Sequence, residues 1–232
     1  MDFKGYLNQF YTSDKNTHSI YPCDKFKKGS KLKIPKEKLE EFYEKCHYYI
    51  FENNETDIPV LEKVQSKVPF FLDLDFKYAD EICERQYTKD TINELYIYIC
   101  NYLITFYNLD DNQLICYVME KDKQYKCDKK NYKYKDGLHL LFPNLIAETS
   151  TYRQLINSIY EDEENFMKLL EDTSLKSPSN KFKDILDCAP YKNGNWFLYG
   201  CGKPGESPYQ LTEIKNIKGG DINISIYLEN PL

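Results

Sequence analysis

Arginine is almost absent from this sequence: Arg85 and Arg153 are the only two among 31 basic residues. A phosphate held by this chain would be met mainly by compact lysine ammonium groups, not by the planar fork of a guanidinium. No run of eighteen or more apolar residues is present, and the first thirty residues lack the basic, apolar and small-residue sections of a signal peptide. No membrane span and a soluble, intracellular protein are therefore expected. The eight cysteines, Cys23, Cys46, Cys83, Cys100, Cys116, Cys127, Cys188 and Cys201, include no C-x-x-C pair and no partner histidine at zinc-ligand spacing. They read as reduced, mostly buried thiols rather than disulfides or a metal cluster. The net charge of −6 argues, taken alone, against a non-specific nucleic-acid coat. Lysine, tyrosine, asparagine and isoleucine are abundant instead, the usage of an AT-rich genome.

At 232 residues, 41 % of them hydrophobic, the chain can bury a sizeable core, and one compact catalytic-size unit of α+β class is expected. A polar, turn-rich opening ends in the cluster Lys25, Lys27, Lys28, Lys31 and Lys33. Pro35 then starts a helix over PKEKLEEFYEKCHYYIF by occupying its first turn. VPFFLDLDF, residues 68–76, reads as a strand because it is short, apolar and bounded by turn residues. Thr91-Ile92-Asn93-Glu94 has capping-box spacing ahead of LYIYICNYLITFYNL, a helix apolar on nearly every face and so expected to be well covered. DNQLICYVME and KDGLHLLFPNL are strand candidates, the second stopped by Pro143. Thr151 to Gln154 repeats the capping pattern and opens a helix through about Leu170. KDILDCAPYK and NWFLYGCGKP read as two strands joined by the turn Asn193-Gly194-Asn195. No internal repeat is found, and the ending SIYLENPL suits a piece cut from a longer protein.

VPFFLDLDF sets two aspartates inside one of the most apolar runs of the chain. Residues two apart on a strand share a face, so Asp73 and Asp75 converge with Phe71 behind them, while Leu72, Leu74 and Phe76 anchor the other side. Adjacent carboxylates repel and raise each other's pKa, a cost that a hard ion such as Mg²⁺ or Mn²⁺ relieves. The plainer alternative is a sheet-edge pair facing water, and D-x-D also occurs in glycosyltransferases, nucleases and ordinary strand ends.

His139 sits in an apolar strand two residues after Gly137, where a missing side chain permits close approach of a ligand. A lone histidine there is more often a satisfied core residue. Lys135 has the same strand parity, however, and lysine with histidine suits phosphate. From Lys121 to Lys135 the segment KDKQYKCDKKNYKYK carries seven lysines, two aspartates and three tyrosines. It is either a solvated loop or hairpin, or a surface where Lys126, Lys129, Lys130 and Lys133 attract phosphates while bases stack on tyrosine. Asp187 adds a further acid at the end of an apolar stretch, and Lys203 follows the small-residue turn Tyr199-Gly200-Cys201-Gly202.

Taken in order, DLD (Asp73, Asp75), KDGLH (Lys135, Gly137, His139), and apolar-Asp187 with a Tyr-Gly-x-Gly-Lys turn (Lys203) resemble the archaeo-eukaryotic primase superfamily. The likeness is greatest to the N-terminal primase domain of large-DNA-virus, poxvirus-type primase-helicases, and extends to eukaryotic primase-polymerases. It implies that Asp73, Asp75 and Asp187 are the carboxylates of a two-metal Mg²⁺ or Mn²⁺ site. His139 would touch the phosphates of the incoming nucleotide, with Lys135 beside it and Lys203 on the triphosphate. Relatives commonly carry serine where Gly137 stands, so that hydroxyl contact to phosphate would be absent or replaced by a backbone N–H. Relatives of the primase-polymerase kind also carry arginines in the third motif; residues 187–203 have none, and Lys192 is a candidate substitute.

The resemblance implies an N-terminal αβ module over about residues 1–85, including the Asp pair, packed on an RNA-recognition-like (RRM-like) sheet module over 86–232, with the active site in the cleft between. It implies template-directed primer synthesis from NTPs or dNTPs on single-stranded DNA, serving a helicase on the same full-length chain, in the host cytoplasm if the source is viral. Two other readings use the same residues: a metal-dependent nuclease or phosphotransferase, and a single-stranded-DNA-binding module whose catalytic site has decayed.

Overall fold

A computed structural model of the chain describes residues 2–53, 58–82, 84–129, 131–218, 220–222 and 224. In chain order the elements are α1 (Phe3–Asn8), β1 (His18–Ile20), β2 (Ser30–Leu32), α2 (Leu39–His47), β3 (Val60–Lys63), β4 (Lys67–Tyr78), α3 (Lys89–Phe106), β5 (Cys116–Glu120), β6 (Tyr125–Lys129), β7 (Tyr132–Glu148), α4 (Thr149–Glu161), α5 (Glu163–Asp172), α6 (Phe182–Ile185), β8 (Leu186–Asp187), α7 (Ala189–Asn193), β9 (Asn195–Phe197), β10 (Gln210–Asn216) and β11 (Gly220–Ile222). The class is α+β with antiparallel sheets, as expected. The chain divides into two units, Met1–Val64 with Asn193–Tyr209, and Gln65–Lys192 with Gln210–Leu232. The expected boundary near residue 85 thus falls inside the second unit. The strand carrying Asp73 and Asp75 is laddered to β7 and β8 of that unit, which places the Asp pair there.

In the first unit the sheet order is β2-β1-β3-β9. Its core joins Phe3, Leu7, Ile20, Leu32, Phe42, Ile50 and Val60. Pro35 caps a turn of 3-10 helix, Lys36–Lys38, that leads into α2, and a π-helical turn, Tyr48–Glu52, follows. That turn buries Ile50 and leaves Phe51 stacked on Tyr199 at 5.7 Å. Gly200 has φ +81°, and a Cβ on it would lie 2.6 Å from Phe51 and 2.7 Å from Ile50, so conformation and space both require glycine.

The second unit is built on a seven-stranded sheet ordered β11-β10-β5-β7-β4-β8, with β6 also paired to β7. β4 and β7 are partners along almost their whole length. Pro143 does not stop β7: Pro69 pairs with Ile146 and the next residue, Phe70, with Phe142, so residues 143–145 bulge out of the ladder. A proline without an N–H is tolerated at such a bulge. Leu72, Leu74 and Phe76 are buried beside Leu138, Leu140 and Phe142, each burial contributing about 1.5–3 kcal/mol. Phe70 closes this layer against Phe142 at 5.6 Å and Tyr152 of α4 at 4.9 Å.

Several local expectations are corrected. The cap of α3 is Thr88, whose box partner is Thr91, so the helix begins a turn earlier than the Thr91 pattern implied. Its cover is also incomplete: Ile97 and Phe106 remain 47 % and 53 % exposed, because only part of the helix surface packs inward. The helix expected through Leu170 breaks at Asp162, whose carboxylate accepts from Tyr98 Oη at 2.7 Å and Asn165 Nδ2 at 2.6 Å, drawing the residue out of helical geometry. KDILDCAPYK is mostly helical, since Pro190 suits the first turn of α7, and only Leu186–Asp187 is strand. NWF joins β3 of the first unit, so the expected hairpin is absent.

The seven described cysteines are free thiols, five of them buried; Cys83 lies outside the described residues. No helix among the described residues is long and apolar enough to cross a membrane.

Candidate active site

β4 lies between β7 and β8, and this order brings distant segments into one row. Asp73 is the direct cross-strand partner of His139 on one side and of Asp187 on the other. One step along, Asp75 faces Gly137 and Lys77 faces Lys135. Strand parity therefore puts Asp73, Asp75 and Lys77 of β4 on the same face as Lys133, Lys135, Gly137 and His139 of β7.

Residues after β8 hold this row in place. Tyr191 of α7 stacks on Phe71 at 4.3 Å, and its Oη accepts from the Phe71 N–H at 2.7 Å and donates to the Phe71 carbonyl at 2.8 Å. This clamp ties the segment behind Asp187 to the strand of Asp73. Asp187 Oδ1 accepts from the Ala189 N–H at 2.7 Å as α7 begins. Beyond the short β8, Asn180 continues the edge: its Nδ2 donates to the Asp75 carbonyl at 2.9 Å and its Oδ1 accepts from the Lys77 N–H at 3.0 Å.

Lys135 Nζ lies 2.5 Å from Asp75 Oδ1, and His139 Nε2 lies 3.4 Å from Asp73 Oδ1. Burial, then the charge of Asp73, pushes the Asp75 carboxyl above its ordinary range, against the opposing pull of Lys135. Burial alone would lower the Lys135 ammonium; the Asp75 carboxylate outweighs it and holds the pKa up. Two carboxylates thus stand side by side on a largely buried face, with the Lys135 ammonium on Asp75 and the charge of Lys77 also opposing theirs.

The acids on this face are hard donors suited to a divalent ion, and the ammonium on Asp75 shows that the face accepts a cation. As they stand, though, no three His, Cys, Asp or Glu side chains among the described residues are arranged to hold a metal ion together. Lys135 supplies the compensating charge instead.

The basic segment forms a hairpin of β6 on β7, with Tyr125 opposite Lys135 and Lys126 opposite Tyr134. Lys126 and Lys133 are exposed, while Lys129 pairs through its backbone with Tyr132. Lys130 lies outside the described residues. Lys121 Nζ sits 4.1 Å over the Tyr125 ring and Lys77 Nζ 5.4 Å over Tyr132, so ammonium groups and aromatic rings alternate here.

Lys203 belongs to the first unit, exposed on a Lys-Pro-Gly-Glu turn closed by the Glu206 N–H on its carbonyl at 3.0 Å, with Gly205 at φ +80°. Sequence reading missed Lys77, although counting by two from Asp73 and Asp75 reaches it. It also missed Tyr191 and Asn180, whose roles depend on contacts that leave no local pattern.

Residues 23–215 match the family described as the C962R protein N-terminal AEP domain, where AEP denotes archaeo-eukaryotic primase, and the span includes every motif residue from Asp73 to Lys203. Over 149 residues the chain is 29 % identical to the Acanthamoeba polyphaga mimivirus protein named "Putative helicase L207/L206". That alignment covers 62 % of this chain and 14 % of the relative, so the chain spans a small part of its length. Matched over most of its residues, the chain belongs to the archaeo-eukaryotic primase family, as a domain of the C962R N-terminal kind found in large DNA viruses, with primase-type nucleotidyl transfer as the activity this membership indicates.

Proposed function

We propose that this domain synthesises primers, joining NTPs or dNTPs on a single-stranded DNA template. The supporting observation is the row His139–Asp73–Asp187, with Asp75 and Lys135 beside it: acids and cations converge on one sheet face. His139 and Lys135 would bind triphosphate oxygens and offset the charge that collects on the leaving pyrophosphate. In turning to phosphate, Lys135 would release Asp75. Asp73, Asp75 and Asp187 would then hold Mg²⁺ or Mn²⁺, which when bound supplies Lewis-acid stabilisation and a lowered pKa at the attacking hydroxyl. The β6–β7 hairpin, through Lys126, Lys133 and its tyrosines, would carry the template by phosphate attraction and base stacking, and Lys129 and Lys130 of the same sequence segment add to its positive charge. In this reading the second unit is the RRM-like module, and a helicase, which the mimivirus relative's name mentions, uses the primers.

The test is incorporation of labelled nucleotides on circular single-stranded DNA with Mg²⁺ or Mn²⁺. Wild type is expected to make short products and Asp73→Asn none, with unchanged circular dichroism and urea midpoint. Undiminished synthesis by the variant sinks the assignment. Degradation of labelled DNA without nucleotides would instead favour the nuclease, and DNA binding with neither reaction the decayed module.

A further inference from the structure

β7 carries a second set of charged groups on its other face. Asp136, between Lys135 and Gly137 in sequence, points away from the candidate site and is 1 % exposed. Arg85 lies against it, with Nε 3.5 Å from Asp136 Oδ2. The same guanidinium donates through Nη1 to Glu120 Oε1 at 2.7 Å and through Nη2 to the Lys121 carbonyl, and it covers the Tyr87 ring at 4.8 Å. One of the two arginines in the chain is thus spent on a partly buried cluster rather than on an open surface.

Packing alone does not account for this arrangement. Two carboxylates beside one guanidinium cost desolvation that apolar side chains of similar volume would avoid. What the cluster holds is a glycine. Asp136 Oδ1 accepts from the Gly137 N–H at 2.9 Å, and Tyr87 Oη donates to the Gly137 carbonyl at 3.1 Å. A glycine has no side chain for the core to grip, and its backbone has the most freedom to lose. Here both polar groups of Gly137 are gripped by side chains that Arg85 contacts. Gly137 stands midway between Lys135 and His139, the two residues that meet Asp75 and Asp73.

We infer that Arg85 is a positioning residue: through Asp136 and Tyr87 it fixes the peptide groups of Gly137, and thereby where Lys135 and His139 stand against the two aspartates. Its kinetic consequence rests on the nucleotidyl-transfer reading; its geometric consequence does not. Arginine is needed because a fork reaches Glu120, the Lys121 carbonyl and Asp136 at once, which a lysine ammonium cannot do with the same rigidity.

The chain has three histidines, so imidazole NMR signals can be assigned by substitution and followed separately. Tyr87→Phe, which removes only the hydroxyl on Gly137, and Arg85→Lys, which keeps the charge but not the fork, are compared with wild type. Both are expected to keep a cooperative urea transition, move the His139 signals and leave His18 and His47 in place. Incorporation should fall at least tenfold in kcat, with a smaller change in affinity for single-stranded DNA. His139 signals that stay in place in both folded variants overturn the inference, as does a loss of incorporation without that movement. Should Arg85→Lys fail to fold, Tyr87→Phe decides alone. Moved His139 signals in a protein whose wild type incorporates no nucleotide support the positioning role and sink the reaction.

Discussion

The two units treat buried polar groups differently. Among the described residues, the first buries a single such side chain outside its tyrosines and cysteines, His18, whose ring lies 4.9 Å from Phe42 and whose pKa burial pulls down to about 4. The second buries Thr91 and the charged Asp75, Glu120, Lys121, Asp136, Glu213 and Lys215. One unit neutralises what it buries; the other keeps charges and pairs them. Burying charge costs more than burying apolar groups, so where a fold retains it, a role beyond stability is worth seeking. By that standard Asp75–Lys135 and Arg85–Asp136 lie on either face of the strand that presents His139. Glu213–Lys215 on β10 is a contrasting case, held at 2.5 Å with Asn93 accepting from Lys215 at 2.6 Å.

The contrast can be tested from its largest expected effect downward. Lys135→Met leaves Asp75 beside Asp73 without its ammonium and should cost about 3–5 kcal/mol at pH 7, read from urea midpoints. The sign with pH is definite. An acid whose folded pKa is raised takes up a proton on folding, so the loss should shrink as pH falls through that raised value and be greatest above it. A variant equally destabilised at acid and neutral pH would contradict the pairing. Lys215→Met should cost about 3 kcal/mol, and adding Glu213→Leu should restore most of it with incorporation unchanged. Lost incorporation in that folded double variant would mean that this pair, too, serves the site.

His18 gives the opposite pH dependence. Its stabilising contribution is complete above about pH 6.5 and is lost as pH falls toward 4, because the unfolded imidazole takes up the proton first. The wild type should therefore lose on the order of 3 kcal/mol more than His18→Gln between those pH values. Equal slopes would remove the distinction between the units. The smallest effect expected is Gly200→Ala, about 1–2 kcal/mol from the left-handed backbone and the contact with Phe51, measured as a shift in Tm.

Much of the sheet face was legible before the structure. The period-two placement of Asp73 with Asp75, and of Lys135 with Gly137 and His139, follows from the alternation of side chains along a strand and needs no knowledge of neighbours. The core sides of β4 and β7 follow from the same rule. Less legible were segments where a local signal competes with a contact made elsewhere. Asp162 breaks a helix that its amphipathic pattern would continue, because Tyr98 and Asn165 claim its carboxylate. Pro143 reads as a stop, yet the strand absorbs it as a bulge.

The sequence by itself determined which side chains share a face and that the lysines gather beside tyrosines. Only the tertiary structure decided that Asp73 sits between His139 and Asp187, that Lys135 neutralises Asp75, and that Arg85 stands under Gly137. The reason is physical: facing is a property of the local backbone, whereas register is set by ladders between distant segments and by the cores that hold them.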